Sequence, residues 1–303
     1  MEVDDNNVFI GKISVKMLAE NYGSPLYAYD ESVIRKQFGL LKDSIVYEDT
    51  DIHFACKANS NIRIMSILQE EGALVDTASC GEIFLSHKAG YSYNNILFTG
   101  HNVTEEEMMY IIEHDVTMNV DSLTQLRRSG QIKLGLKVGI RFNLDVGAGY
   151  HPYVYGGGPR SKFGIRMSEI EEAKEIVENF GLHVSGVHTH IGSGILDAQI
   201  YLDAFDRLLS IASNFVDIDY IDIGGGIGIP YKNDEQDFNL KYLGEEISSR
   251  LVRWCLEYGK KIRLKLEPGR FLVAKAGTLI CKVNTIKNYS PRIFVGTDTS
   301  FAH

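Results

Sequence analysis

The sequence predicts an α/β protein, a (β/α)8 TIM-like barrel that carries the N- and C-terminal strands of a second, incomplete all-β domain. Three observations predict it. Eight short apolar segments, 52–56, 73–76, 96–99, 116–120, 137–142, 184–190, 219–223 and 262–267, read as buried strands, and each is followed by a helical or polar stretch. Strands alternating with helices form a parallel sheet, and eight such units close it into a barrel. Finally, the reactive side chains fall where these segments end, on the rim where barrels carry their chemistry.

The helices between the strands are legible from spacing. Residues 61–68 place Ile62, Met65 and Leu68 on one face, and 202–211 do the same with Leu202, Phe205 and Leu209. Thr104 with Glu107, and Ser168 with Glu171, have the spacing of capping boxes. Glu105, Glu106 and Glu107 suit the positive end of a helix dipole. Residues 1–29 and 276–303 alternate apolar and polar positions, as in Leu279, Cys281 and Val283, and are expected to be strands of the second domain. The barrel then occupies 30–275.

In chain order the rim carries Lys57, Asp76, Gly100-His101-Asn102, Asn119 with Asp121, Arg141 with Asn143, His190 with Ser193, Gly224-Gly225-Gly226, and Glu267-Pro268-Gly269-Arg270. Lys57 ends an apolar run. Desolvation there is expected to lower its pKa and free the amine as a nucleophile or Schiff-base former, the alternative being a head turned to water. The loop at 224–226 has backbone amides that can close around an anion, and Gly269 with Arg270 add an approachable backbone and a fixed cation. A phosphorylated ligand between these last two loops is the expectation, against a plain set of tight turns. A dinucleotide fingerprint is disfavoured because Ile229 stands where its third glycine belongs.

Glu267 lies between apolar neighbours, which argues against a surface carboxylate. His188 and His190 could offer two metal ligands, but no third has ligand spacing, so no metal is expected and His190 is read as a ring stacked on a cofactor. A lysine that can form a Schiff base, a phosphate cradle and a carboxylate to pair with a pyridine nitrogen together describe a pyridoxal 5'-phosphate site.

These residues stand in motifs: Phe54-Ala55-Cys56-Lys57-Ala58-Asn59, Asp76-Thr77-Ala78-Ser79-Cys80-Gly81-Glu82, Ser161-Lys162-Phe163-Gly164, His188-Thr189-His190-Ile191-Gly192-Ser193, Gly224-Gly225-Gly226 and Glu267-Pro268-Gly269-Arg270. From about residue 8 to residue 303 the chain resembles the fold-type III pyridoxal phosphate decarboxylases, which act on diaminopimelate, ornithine, arginine or carboxynorspermidine. His151-Pro152-Tyr153 and Gly224 to Pro230 look most like the diaminopimelate branch, whereas Tyr155-Gly156-Gly157-Gly158 departs from it. Alanine racemase, a barrel relative, fits less well, because it sets an arginine where this chain has Glu267.

The resemblance implies that Lys57 holds the cofactor, His190 stacks on it, and Glu267 pairs with its ring nitrogen. Ser193, Gly224, Gly225, Gly226, Gly269 and Arg270 would surround the phosphate, with Arg270 also meeting substrate and Asp76 and Arg141 supporting the ring. It also implies a homodimer in which the partner's second domain completes each site through a cysteine beside acidic residues. The chain reaches His303 with that domain barely begun. The expectation is either a piece of a longer decarboxylase or a short relative that binds the cofactor without turnover. Unpaired strand edges would make it dimerise or aggregate.

Composition narrows the class. The net charge is −9 with no basic stripe, which argues against nucleic acid. No apolar run approaches the roughly 20 residues of a membrane span, and the acidic start is unlike a secretory signal. Cys56, Cys80, Cys255 and Cys281 are far apart, as in a reducing compartment, and Cys56 and Cys80, near the expected site, are read as packing residues. A cytoplasmic enzyme is expected, with Tyr150, Tyr153 and Tyr155 covering the substrate entrance.

Overall fold

A computed structural model describes residues 2–4, 7–149, 156–158 and 160–300. The tyrosines at 150, 153 and 155 lie outside the described residues, as does the His151-Pro152-Tyr153 motif. Eight parallel strands form a closed ring: β1 (Thr50–Ala55), β2 (Leu74–Thr77), β3 (Ile96–Phe98), β4 (Thr117–Val120), β5 (Lys137–Asn143), β6 (His183–His188), β7 (Tyr220–Asp222) and β8 (Arg263–Leu266). Each neighbours the next in sequence, β8 pairs with β1, and β4 pairs with β5, so no barrel edge is left open. All eight expected strands are present, displaced by no more than a few residues at their ends.

Strand alternation divides the barrel into two environments. Ile52 and Phe54 on β1, Ile221 on β7 and Leu264 and Leu266 on β8 belong to one hydrophobic core with the helices. The alternate residues Asp51, His53, Tyr220, Asp222, Arg263 and Lys265 face the interior, as the period of two requires. On β7, β8 and β1 the barrel is therefore packed with apolar side chains outside its strands and with polar ones inside. Tyr220 crosses the interior to donate its hydroxyl to Asn119 Oδ1 at 2.5 Å. A Cβ at Gly139 would stand 2.1 Å from that hydroxyl, and one at Gly186 would stand 2.4 Å from the ring, so both glycines make its room.

The helices Ile62–Glu70 and Ala198–Ala212 extend the two apolar-faced segments of the sequence. Thr104 and Glu107 form the expected capping box at the start of Glu105–Glu113. Ser168 does not cap. A 3-10 turn, Met167–Glu169, intervenes, the Glu169 carboxylate accepts from Arg166 N–H at 2.9 Å, and no side chain caps Ile170–Phe180.

Flanking the barrel, Leu26–Tyr29 pairs antiparallel with Gly277–Ile280, joining the two ends of the described chain. Residues 15–22, expected to be extended, are instead the helix Val15–Tyr22. The run Met17-Leu18-Ala19-Glu20 has strong helix formers, and Gly23 at positive φ ends it. The strands Val283–Tyr289 and Arg292–Thr297 form a hairpin with Val283, Ile286, Tyr289, Ile293, Phe294 and Val295 exposed.

Gly244, inside the helix Leu240–Tyr258, touches the end of Glu31–Ser44: a Cβ there would lie 1.9 Å from the Ser44 carbonyl oxygen. Helix propensity favours alanine over glycine by about 1 kcal/mol, whereas overpacking against fixed backbone costs about 1–3 kcal/mol. Contact wins in this geometry, so Gly244→Ala is expected to lower the urea midpoint. A raised midpoint would show that the two helices separate freely.

Candidate active site

Lys57 follows β1 in a short 3-10 turn, Cys56–Ala58, which carries its side chain onto the rim. Its Nζ donates to Asp76 Oδ2 at 3.0 Å, with the lysine side chain 49% exposed and the aspartate fully buried. Thr99 Oγ1 holds the other Asp76 oxygen at 2.5 Å. Desolvation does press on the ammonium, but Asp76 and then Glu267 outweigh it, and the lysine pKa is raised. The expectation of a lowered pKa is corrected: apolar neighbours in sequence did not reveal two carboxylates brought from β2 and β8.

At the end of β8, Glu267 is 2% exposed, which removes the reading of a surface carboxylate. Its Oε2 lies 3.2 Å from His188 Nε2, while its Oε1 is buried without a hydrogen-bond partner among the described residues. Burial, then Asp76, pushes Glu267 up to about 8. Asp222, which accepts from Gly224 N–H at 2.9 Å, is pushed up by its own burial and by Glu267. Burial lowers His188 to about 4, so its ring is neutral.

His188, Asp222 and Glu267 thus bring three ligand-type atoms within 4.8 Å of one another, supplying the third group that sequence spacing had not offered to the histidines. A divalent cation is nevertheless opposed there. Lys57 and Arg141 already set two positive charges beside the group, each acting on both His188 and Glu267.

His190 lies beyond β6, and its Nδ1 accepts from Gly225 N–H at 3.2 Å, an arrangement that needs the neutral ring favoured by burial. The loop at 224–226 is pressed between neighbouring loops. A Cβ on Gly224 would come within 2.3 Å of the Thr189 oxygen, one on Gly225 within 1.9 Å of the Glu267 oxygen, and one on Gly226 within 2.1 Å of the Gly192 oxygen. Gly224 and Gly226 also hold positive φ, 68° and 103°. Gly269 packs on Ala55 and Ala58 at either side of Lys57, and Arg270 reaches Ser193 Oγ at 3.4 Å and Tyr231 Oη at 2.8 Å.

Arg141 at the end of β5 is buried 3.4 Å from Asp121 and lies over the Phe163 ring at 4.7 Å. His101 meets the same ring edge-on at 4.8 Å. Asp121 also accepts from Gly164 N–H at 3.1 Å, which ties the Ser161-Lys162-Phe163-Gly164 motif to the rim.

Lys57, Asp76, Asp121, Arg141, His190, Ser193, the glycine loop, Glu267, Gly269 and Arg270 therefore gather at one end of the barrel, whereas Asn119, expected on that rim, lies lower in the interior against the Tyr220 hydroxyl. Residues that sequence reasoning passed over are Asp222, Tyr231, Lys265 and Thr99. Asp222 could have been found, since it immediately precedes the glycine loop and shares the inward parity of a residue at a strand end. A cavity of about 780 Å³ lies at the opposite mouth among His53, Asp51, Ser185 and Lys265, and none of the rim residues lines it. The chemistry is at the rim, where the reactive groups and the glycine loops meet.

This rim fits a pyridoxal phosphate. Glu267 Oε1 and Asp222 Oδ2 are buried acceptors without partners among the described residues, suited to a protonated ring nitrogen, and the glycine loop with Arg270 and Ser193 suits an anion.

Residues 31–274 match the family model described as pyridoxal-dependent decarboxylase, pyridoxal binding domain. A diaminopimelate decarboxylase of Methanothermobacter thermautotrophicus is 38% identical, the alignment covering 99% of this chain and 72% of that protein. One from Aquifex aeolicus is 35% identical over 98% and 71%. The crystal structure of diaminopimelate decarboxylase from Helicobacter pylori complexed with L-lysine superposes with a TM-score of 0.85 at 30% identity, over 94% of this chain and 72% of that one. The chain belongs to the pyridoxal-dependent decarboxylases.

Proposed function

We propose that the chain decarboxylates meso-diaminopimelate to L-lysine, with Lys57, His190 and Glu267 as its catalytic residues. The observation that carries the chemistry is the unpartnered, buried Glu267 Oε1 on the same rim as the Lys57–Asp76 pair. The relatives named diaminopimelate decarboxylase support the substrate.

Lys57 would hold the cofactor through its amine. Because Asp76 and Glu267 favour its charged form, a proton must leave Nζ first, and Asp76 Oδ2 at 3.0 Å is the acceptor in place. His190 would lie against the ring as a neutral surface, its orientation set by Gly225 N–H. Gly224, Gly225, Gly226, Ser193, Gly269 and Arg270 would hold the phosphate, and Arg270 would also stand near the substrate. Arg141 and Asp76 supply charge around the ring without meeting the reacting bond. The bound pyridoxal ring supplies an electron sink for the pair left on the α-carbon when carbon dioxide departs. Glu267 would sustain that sink by favouring a proton on the ring nitrogen.

We also infer a homodimer, as the resemblance to the fold-type III decarboxylases implies. A cytoplasmic location is supported by four free cysteines. No helix among the described residues is long and apolar enough to cross a membrane. Light scattering after size-exclusion chromatography is expected to give twice the chain mass, and a monodisperse monomer would contradict the dimer.

Carbon dioxide release should be largest with meso-diaminopimelate in a panel that includes ornithine, arginine and lysine; preference for another member would refute the substrate and keep the chemistry. A visible absorbance band should form on adding pyridoxal phosphate to the wild-type protein and be absent from Lys57→Ala.

Glu267→Gln should lower kcat by about 10²–10³, the usual scale for losing one pre-positioned electrostatic group. The same substitution tests the sign of the titration. A carboxyl raised to about 8 contributes stability that is complete below its ordinary 4.5 and is lost as pH rises through 8. His188, lowered from 6.5 to about 4, contributes stability that is lost as pH falls from 6.5. Between pH 6.5 and 8 the histidine effect is complete, and the two raised carboxyls, Glu267 and Asp222, act in the same direction. Cofactor-free wild type should lose stability across that window in urea, and Glu267→Gln should lose less; equal slopes would contradict the assignment.

A further inference from the structure

The barrel interior holds one buried cation that the reaction does not use directly. Lys265, on the inner face of β8, is 8% exposed. Its neighbours in register are both carboxylates, Asp222 on β7 and Asp51 on β1. Glu267 lies two residues further along the same inner face. The ammonium sits 3.9 Å from the centroid of the Tyr220 ring, a cation–π placement whose strength grows as water is removed.

We propose that Lys265 is a positioning residue for the decarboxylase site: from below the rim, held on the face of Tyr220, its charge favours the ionised form of the Asp222–Glu267 pair that a protonated ring nitrogen needs. Two buried carboxylates so close tend to share a proton, and a cation on the same inner face works against that. Lys57 and Arg141 also face the pair, but they are rim residues with other partners, Asp76 and Asp121. Lys265 has no carboxylate within ion-pair distance among the described residues, so it acts on the pair through its field. Its surroundings are Asp51 and His53 from β1, Tyr220 and Asp222 from β7, and Arg263 and Glu267 from its own strand. Burial lowers its pKa while Asp222, Asp51 and Glu267 raise it, which is the reciprocal of the effect proposed.

The inference rests on Glu267 facing the ring nitrogen, so its test includes a control for that reading. Pyridoxal phosphate affinity is measured by fluorescence quenching from pH 6 to 9.5 in wild type, Lys265→Met, Lys265→Gln, Lys265→Arg and Glu267→Gln. Both neutral variants at 265 should move the midpoint of the pH dependence upward, with about tenfold weaker binding at neutral pH for each unit moved. Lys265→Arg should return the midpoint to the wild-type value.

An unmoved midpoint in folded Lys265→Met or Lys265→Gln overturns the proposal. So does a midpoint that Lys265→Arg displaces as far as the neutral variants do, because packing and not charge would then be responsible. If Glu267→Gln leaves the pH dependence unchanged, the reading of the site fails as well. If Glu267→Gln abolishes that dependence while the neutral variants at 265 do not move it, only the role of Lys265 fails.

Discussion

Burying a carboxylate without a cation is the constraint on which the rest of this structure depends. Glu267 is placed at the end of β8 by a strand whose alternate residues, Leu264 and Leu266, are locked into the core outside the barrel. The same locking turns Glu267 inward and denies it water. The surroundings answer with neutral His188, the Lys57–Asp76 pair and Arg141. None of these closes onto Glu267 Oε1, and a site left one positive partner short is suited to a cationic ring.

Cradle and carboxylate are coupled mechanically as well as electrically. Glu267 N–H donates to the Gly224 oxygen at 2.8 Å, and Gly225 lies against the Glu267 carbonyl. The Pro268 carbonyl accepts from Ala55 N–H at 3.1 Å, just before Lys57. Three loops that are remote in sequence are therefore joined by main-chain contacts, and no side-chain substitution can remove these directly. Rigidity of this kind is what a site needs when its electrostatics must be set before the substrate arrives.

The barrel was legible in the sequence because its strands are short apolar runs with helices between them, and the rim residues followed from where those runs end. Lys57, Asp76, His190, Glu267 and the glycine loop gather in space as their positions at strand ends imply. The direction of the Lys57 titration was not legible, since it depends on Asp76 and Glu267, which are 19 and 210 residues away. Ser168 failed as a cap because a 3-10 turn took the place of the first helical turn, a choice that local spacing does not encode. The helix Val15–Tyr22 was missed because alternation over a few residues does not separate a strand from an amphipathic turn. Asp222 and Lys265 were overlooked for another reason: charged residues inside a barrel contradict the aliphatic interior that the architecture leads one to expect.

Tyr220 gives that polar interior an unexpected property. By spanning from β7 to Asn119 on β4, in space cleared by Gly139 and Gly186, its ring stoppers the barrel midway. The phenol lies between the cavity at the lower mouth and the reactive groups of the rim. An electric field is not stopped by the ring. On the role proposed for Lys265, a substitution at the foot of β1 or β8 would retune the chemistry above it through charge and not through the shape of the rim.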